Sequence, residues 1–257
     1  MFSSLYAMVR PKDFVLTGIP RSGTSLLSSL LCELEDCFCF NEIQYDVVTL
    51  PVFFTRMRKK LLAGEPVLNR VDEEGKLTTD TQRKGFSVQE IKVPCKSKGL
   101  VLGSNANIPY LNQMDSMLGY KYKVLVMVRN PVYTLASWGS EKAGRIPENQ
   151  VMADDLNPRW EKIEFCSQDK VERQAQLWEH YANLIWSVRH RVEIVRYERL
   201  TENQNDTLEE ITNYLGVSSP RNLKRLSSYN LSSRYANLQK IEHAVEHYCR
   251  SKGNFGY

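Results

Sequence analysis

Short apolar runs alternate with amphipathic segments along this chain, and the alternation predicts strands interleaved with helices. The clearest runs with the length and composition of buried strands are 14–17, 123–128 and 192–195. The run KVLVMV is apolar throughout, as expected of a central parallel strand that is buried on both faces. Segments with apolar residues at helical spacing are 24–34, 168–190 and 207–215. We therefore predict an α/β fold of three layers, α/β/α, around a central and mostly parallel sheet.

Other segments carry weaker patterns. Strands are predicted at 37–40 and 88–93, and a helix is predicted at 108–118. Residues 43–63 have helical spacing, and Pro51 either interrupts that helix or starts a new one.

Residues 64–86 are polar and turn-rich, and residues 140–165 are polar and irregular. The segments at about 43–86 and 140–165 are predicted to be excursions from the body that build a substrate pocket or a lid. The sequence has no internal repeat, no linker and no low-complexity tract. One domain over residues 1–257 is therefore the simplest organisation.

Composition narrows the class of protein. Of 257 residues, 42% are hydrophobic and 25% are charged, which is typical of a globular chain with one sizeable core. The net charge of +4 is too small for a general nucleic-acid binder but fits a local basic site for an anion.

No signal peptide or apolar membrane span is apparent, so we expect a cytoplasmic protein. The six cysteines form no CxxC pair, and we expect reduced thiols and no metal site.

The candidate chemistry begins at the loop GIPRSGTS, residues 18–25, which lies between the first predicted strand and the first predicted helix. Main-chain N–H groups of such a loop and the N-terminus of the following helix bind phosphate-like anions. The nucleotide-triphosphate version of this loop is GxxxxGK[ST], but here Thr24 replaces the lysine and the positive charge lies at Arg21. Because kinases need that lysine on the transferred phosphate, the substitution disfavours phosphoryl transfer.

Pro20-Arg21-Ser22-Gly23-Thr24-Ser25 resembles the P-[KR]-S-G-T-[ST] loop of the sulfotransferase family. Arg129-Asn130-Pro131, followed by Ser137 after the best strand, is similar to that family's second signature, R-[ND]-P-x5-S. The resemblance implies that the loop cradles the 5′-phosphosulfate of the donor PAPS (3′-phosphoadenosine 5′-phosphosulfate). It also implies that Arg129 and Ser137 bind the donor's 3′-phosphate.

Two further matches support the resemblance. Val195-Arg196-Tyr197-Glu198-Arg199-Leu200 is similar to a family segment whose tyrosine lies near the adenine, although Tyr197 could equally be a half-buried core residue. Ser251, Lys252 and Gly253 resemble the family's late basic loop over the 3′-phosphate, and a disordered tail is the competing interpretation.

The resemblance also directs the search for a catalytic base. Cytosolic sulfotransferases use a histidine in a K-x-H segment, and here Lys92 is present but Pro94 stands at the histidine position. The tyrosylprotein and heparan branch uses a glutamate after the first helix, and the run Asn41-Glu42-Ile43-Gln44-Tyr45 is similar to that segment. We therefore expect Glu42 to be the general base, with Arg21 and Lys92 stabilising the transferring group.

The resemblance thus implies a sulfotransferase that moves a sulfuryl group from PAPS to a hydroxyl or amine and releases PAP (adenosine 3′,5′-bisphosphate). No metal is required, because arginine and lysine can stabilise the developing charge. A small-molecule or carbohydrate acceptor is favoured, and a peptide acceptor is also compatible; no nucleic-acid partner is expected. A P-loop kinase of small molecules or nucleotides is the alternative, and a non-catalytic nucleotide-binding protein is a third hypothesis.

Overall fold

The computed structural model describes residues 13–41, 48–69, 90–91, 99–120, 122–139, 163–218 and 237–257. The strands are β1 (Phe14–Gly18), β2 (Cys37–Asn41), β3 (Val67–Leu68), β4 (Glu90–Ile91), β5 (Val101–Asn105), β6 (Lys123–Val128) and β7 (Glu193–Arg196). The helices are α1 (Thr24–Cys32), α2 (Leu50–Leu62), α3 (Ile108–Leu111), α4 (Met114–Gly119), α5 (Pro131–Trp138), α6 (Lys170–Ser187), α7 (Tyr197–Glu202), α8 (Gln204–Leu215) and α9 (Leu238–Tyr248). A 3₁₀ helix, Arg250–Phe255, follows α9.

Five strands form one parallel sheet in the order β2-β5-β1-β6-β7. From β1 the chain runs towards β2 on one side, whereas from β6 it runs towards β7 on the other. The strand order therefore reverses between β1 and β6, whose last residues meet where Gly18 pairs with Met127. Ligands of open α/β sheets bind at the carboxyl ends of the strands beside such a switch point.

Each face of the sheet is covered by its own hydrophobic cluster, because side chains alternate along a strand. Leu16 and Met127 pack with apolar residues of α1, α7 and α8 on one face. Val15 and Val126 pack on the other face with α2, the segment α3–α4, α5, α6 and α9. The predicted three-layer α/β/α fold with a central parallel sheet is confirmed.

Sequence patterns missed β5, which lies between β2 and β1. Its sequence VLGSN carries a glycine and two polar residues in place of a continuous apolar run. A Cβ at Gly103 would lie 2.1 Å from the ring of Phe14, so this position must stay small for the neighbouring strand to pack. Gly103, which the packing of β5 requires, therefore also removes the continuous apolar run by which a buried strand is recognised.

Two other segments differ from the expectation. The strand predicted at 88–93 is described only at Glu90–Ile91, which pairs antiparallel with Val67–Leu68 in a separate two-stranded sheet. The helix predicted at 108–118 divides into the short helices α3 and α4.

Helix α2 lies inside the predicted excursion at 43–86. It begins at Leu50 with Pro51 in its first turn, where a proline is tolerated. Its Phe53, Phe54 and Leu61 are buried in the core, so this part of the excursion belongs to the body of the domain. Across the described ranges, no helix combines the length and the apolar composition that crossing a membrane requires.

Candidate functional site

The loop between β1 and α1 is tightly bent at the switch point. Arg21 has φ 70° and Gly23 has φ 95°, both in the left-handed region. The N–H of Ser22 donates to the Ile19 carbonyl at 3.0 Å, and the Trp138 indole N–H donates to the Pro20 carbonyl at 2.9 Å. The loop is therefore held by its own main chain and by a buried tryptophan of α5.

The N-terminus of α1 opens into this loop without a capping side chain. Gly23, the residue before the helix, has no side chain that could cap it, and the first turn holds no acidic residue. Ser25 lies in that turn, half-buried. Since the first N–H groups of a helix have no partner within the helix and carry the positive end of its dipole, this end can bind an anion.

Two hydroxyls of the loop are buried but differ in their bonding. Thr24 donates to the side-chain oxygen of Asn107 at 3.0 Å, which ties the start of α1 to the chain just beyond β5. The Ser22 Oγ is buried and has no hydrogen-bond partner among the residues that the structure describes. A buried hydroxyl without a partner is costly, and an anionic ligand in the loop would satisfy it.

The second motif meets this loop from β6. Arg129 follows β6 and is only 7% exposed, and its Nη1 donates to the Arg21 carbonyl at 3.3 Å. In turn, the Nε of Arg21 donates to the Ser137 Oγ at 3.1 Å. The Nε of Arg129 has no partner within the described part of the chain. The structure thus brings Arg21, Arg129 and Ser137 of the two motifs together, while their binding of a donor stays a prediction.

Tyr197, at the junction of β7 and α7, completes this cluster. The Arg129 guanidinium carbon lies 4.4 Å from the Tyr197 ring centroid. A Cβ on Gly23 would come within 2.5 Å of the Tyr197 ring. The ring therefore fills the space between the loop and Arg129, while its predicted contact with adenine stays a prediction.

Asparagines at the carboxyl edge of the sheet were missed by the sequence patterns. Asn105, the last residue of β5, donates from Nδ2 to the Asn41 side-chain oxygen at 2.7 Å. The Asn69 side-chain oxygen accepts the Asn41 N–H at 2.7 Å. The run SNAN after an apolar segment was the available signal, because a site is expected where polar residues follow a buried parallel strand.

The predicted late loop makes its contacts elsewhere. Ser251 is buried and its hydroxyl bonds to Glu179 at 2.8 Å and to Asn183 at 2.6 Å, both in α6. Lys252 pairs with Glu246 of α9, and Gly253 is exposed. The segment is a short 3₁₀ helix rather than a free tail, and its role at a 3′-phosphate stays a prediction.

Tyr257 contacts α7 beside this cluster. Its hydroxyl donates to the Glu198 carboxylate at 2.8 Å. Burial, and then the neighbouring Glu198 carboxylate, raise the pKa of Tyr257 well above its ordinary value. The phenol is therefore a neutral donor across the physiological pH range.

Two predicted catalytic residues, Glu42 and Lys92, lie outside the described residues. Glu42 follows Asn41, the buried last residue of β2, and Lys92 follows Ile91, the last residue of β4. Within the described ranges, no group of three or more histidine, cysteine, aspartate or glutamate residues is arranged to hold a metal ion.

The site is suited to an anionic ligand, because the loop N–H groups, the start of α1 and the Arg129 guanidinium meet at the carboxyl edge of the sheet. The unpartnered Ser22 Oγ and Arg129 Nε fit such a ligand, because both are buried groups that still need a hydrogen-bond partner.

The family model described as "Sulfotransferase domain" matches residues 11–256. No curated protein is similar enough in sequence to match the chain. Among solved structures, a sulfotransferase from Alicyclobacillus acidocaldarius is similar at 15% identity and TM-score 0.43, with 93% of this chain and 95% of that chain covered.

Two further solved structures are similar at the same level. For the sulfotransferase domain of the Synechococcus PCC 7002 olefin synthase the identity is 14% and the TM-score 0.45, with 95% and 88% covered. For a mouse sulfotransferase complexed with PAP the identity is 15% and the TM-score 0.40, with 92% and 64% covered. At these identities, family membership rests on the domain match alone.

Proposed function

The chain belongs to the sulfotransferase domain family, and from this premise we propose how its residues bind PAPS and transfer the sulfuryl group to an acceptor hydroxyl or amine. The observation that carries the proposal is the meeting of Arg21, Arg129 and Ser137 at the switch point of the sheet. Two motifs far apart in sequence thereby form one cationic site at the place where open α/β sheets bind ligands.

Each end of the donor has its own group of residues. The 5′-phosphosulfate lies in the loop Pro20–Ser25, against the N-terminus of α1 and the Ser22 hydroxyl. The 3′-phosphate is bound by Arg129, whose planar guanidinium offers two parallel donors, and by the Ser137 hydroxyl. Tyr197 contacts the adenine edge, and Ser251, Lys252 and Gly253 approach the 3′-phosphate when the donor is bound.

PAPS supplies an activated sulfuryl group on its 5′-phosphate. Arg21, exposed at the bend of the loop, stabilises negative charge on that group, together with Lys92. Glu42 takes the proton from the attacking hydroxyl or amine, which places the chain in the Glu-base branch with tyrosylprotein and heparan sulfotransferases. Support for Glu42 comes from its place in the sequence, because it directly follows Asn41, the last residue of β2.

The acceptor is a small molecule or a carbohydrate, with a peptide as the second candidate. The excursions at 43–86 and 140–165 would supply its pocket. They carry several arginines and lysines, which suit an acidic or hydroxyl-rich acceptor.

The kinase alternative is disfavoured by the loop itself. A P-loop kinase needs a lysine at the position of Thr24, and the Thr24 hydroxyl is instead buried and bonded to Asn107. The structure offers no cationic side chain at that position to hold a γ-phosphate.

Calorimetric titration with PAP, beside ATP with Mg²⁺, tests the proposal. We expect micromolar binding of PAP without added metal, and loss of that binding in Arg129→Ala. The control is Arg189→Ala, because Arg189 also lies over an aromatic ring, that of Trp186 at 4.7 Å, but is exposed on the surface. Binding of ATP with Mg²⁺ and not of PAP would overturn the proposed donor site.

A further inference from the structure

The last two residues of the chain dock on the end of β7. Arg196, the last residue of β7, donates from Nη2 to the Gly256 carbonyl at 3.3 Å. Its guanidinium carbon also lies 4.8 Å from the Tyr257 ring centroid. Two residues further on, the Glu198 carboxylate accepts the Tyr257 hydroxyl at 2.8 Å. The docking thus uses a main-chain bond, a cation–π contact and a hydrogen bond to a charged group.

The same carboxylate reaches the second motif. Its other oxygen accepts the main-chain N–H of Asn130 at 3.0 Å. Asn130 directly follows Arg129 and caps α5, because its side chain accepts the Val132 N–H at 2.9 Å. Glu198 therefore joins Tyr257 to the main chain at the point where Arg129 leaves β6.

Between Arg196 and Glu198 lies Tyr197, whose ring packs on the Arg129 guanidinium. The three successive residues 196–198 thus contact both the docked residues 256–257 and the segment at Arg129. The outer two bind Gly256 and Tyr257, while the middle one and Glu198 restrain Arg129 and its neighbour.

We propose that Glu198 is a positioning residue for Arg129, held in place by Tyr257, so that docking of residues 250–257 and binding of the donor's 3′-phosphate are coupled. The inference rests on the proposed function, since it assumes that Arg129 binds the 3′-phosphate. Coupling between two sites is reciprocal, so a docked chain end strengthens binding and bound ligand stabilises docking. Among the described residues, the contacts that join Tyr257 to the main chain beside Arg129 are those of Glu198, while Lys252 pairs with Glu246 in this structure.

The first test compares two ligands in Tyr257→Phe, which removes only the hydroxyl and keeps the ring under Arg196. We expect the Kd for PAP to rise about fivefold, the lower end of usual coupling strengths. The Kd for adenosine 5′-monophosphate, which lacks the 3′-phosphate and is measured by competition, should not change. Equal weakening of both ligands, or of neither, would overturn the proposal.

Tyr248→Phe is the matched control. It removes another tyrosine–glutamate hydrogen bond of the C-terminal region, from Tyr248 to Glu172 at 3.0 Å, which joins α9 to α6 and not to α7. We expect this variant to bind PAP like the unaltered protein. An effect equal to that of Tyr257→Phe would mean general loosening of the region and would overturn the proposal.

A double-mutant cycle and hydrogen exchange complete the test. Because Tyr257 acts through Glu198, Tyr257→Phe should add nothing to the loss caused by Glu198→Ala, whereas additive losses would contradict this route.

In the unaltered protein, PAP should slow amide exchange in residues 250–257, and unchanged exchange would contradict the coupling. If the unaltered protein bound no PAP, the proposed donor site itself would fail. If it bound PAP through Arg129 with no effect of Tyr257→Phe, only the coupling would fail.

Discussion

The Arg129 guanidinium lies over the ring of Tyr197, with 4.4 Å between its central carbon and the ring centroid. Arg129 is almost fully buried, so this contact is shielded from water. A cation–π interaction is strongest when it is desolvated in this way. The orientation of the Arg129 guanidinium therefore depends on an aromatic residue at the start of α7.

Replacing Tyr197 tests this dependence. Tyr197→Leu should weaken PAP binding about tenfold, because a partly desolvated cation–π contact is worth about 1–2 kcal/mol. Tyr197→Phe keeps the ring and should retain most of the affinity, as measured by calorimetry. Tyr133→Leu is the control, since that ring faces the same guanidinium at 6.0 Å but is 37% exposed. A loss of affinity in Tyr197→Phe as large as in Tyr197→Leu would instead point to the hydroxyl.

Gly23 is expected to tolerate no side chain. In Gly23→Ala the methyl group would collide with the Tyr197 ring, and the residue would also keep its left-handed φ of 95°. We expect loss of PAP binding and a destabilisation of about 1–3 kcal/mol. Thermal unfolding with and without PAP measures both effects.

Gly64→Ala separates the two causes. Gly64 has a φ of 71°, but no atom lies within 4 Å of the position that its Cβ would take. This variant should lose about 1 kcal/mol of stability, from backbone strain alone, and bind PAP normally. PAP binding by Gly23→Ala equal to that by Gly64→Ala would show that the Tyr197 contact is not needed for the loop.

The parts of the fold that were predictable from sequence are those set by local patterns. KVLVMV was placed at the correct residues of β6 because a strand buried on both faces must be apolar throughout. The family resemblance implied that the glycine loop and the Arg129 motif bind one donor, and the two do meet at the carboxyl edge of the sheet.

Features that depend on contacts between distant residues were not predictable. β5 was not recognised because it contains Gly103, and the glycine is required there by the Phe14 ring of the neighbouring strand and not by residues close in sequence. The packing of Tyr197 on Arg129 and the hydrogen bond from Ser251 to Glu179 likewise form only when separate elements come into contact. A short motif such as Arg250-Ser251-Lys252-Gly253 predicts residue types but not which neighbours will bind them.

Two buried serines of the same region should behave in opposite ways. The Ser22 hydroxyl has no partner among the described residues, so Ser22→Ala should keep or raise the stability of the unliganded protein. It should weaken PAPS binding by roughly fivefold, the value of about 1 kcal/mol for one hydrogen bond. The Ser28 hydroxyl donates to the Cys39 carbonyl at 3.2 Å, so Ser28→Ala should cost about 1 kcal/mol of stability without changing affinity. Urea unfolding and calorimetry measure the two quantities. A destabilised Ser22→Ala with normal affinity would assign Ser22 a structural role.

The assignment of the base can be tested although Glu42 lies outside the described residues. In Glu42→Gln the amide cannot accept a proton, so release of PAP from PAPS in the presence of a panel of phenol, sugar and amine acceptors should fall about a hundredfold or more. The Kd for PAP should stay unchanged, because a base that acts on the acceptor makes no contact with the product nucleotide. Glu33→Gln, at the exposed C-terminal end of α1, is the control and should retain full turnover. Normal turnover by Glu42→Gln would move the base to another residue, and a weakened PAP affinity would make Glu42 part of the donor site.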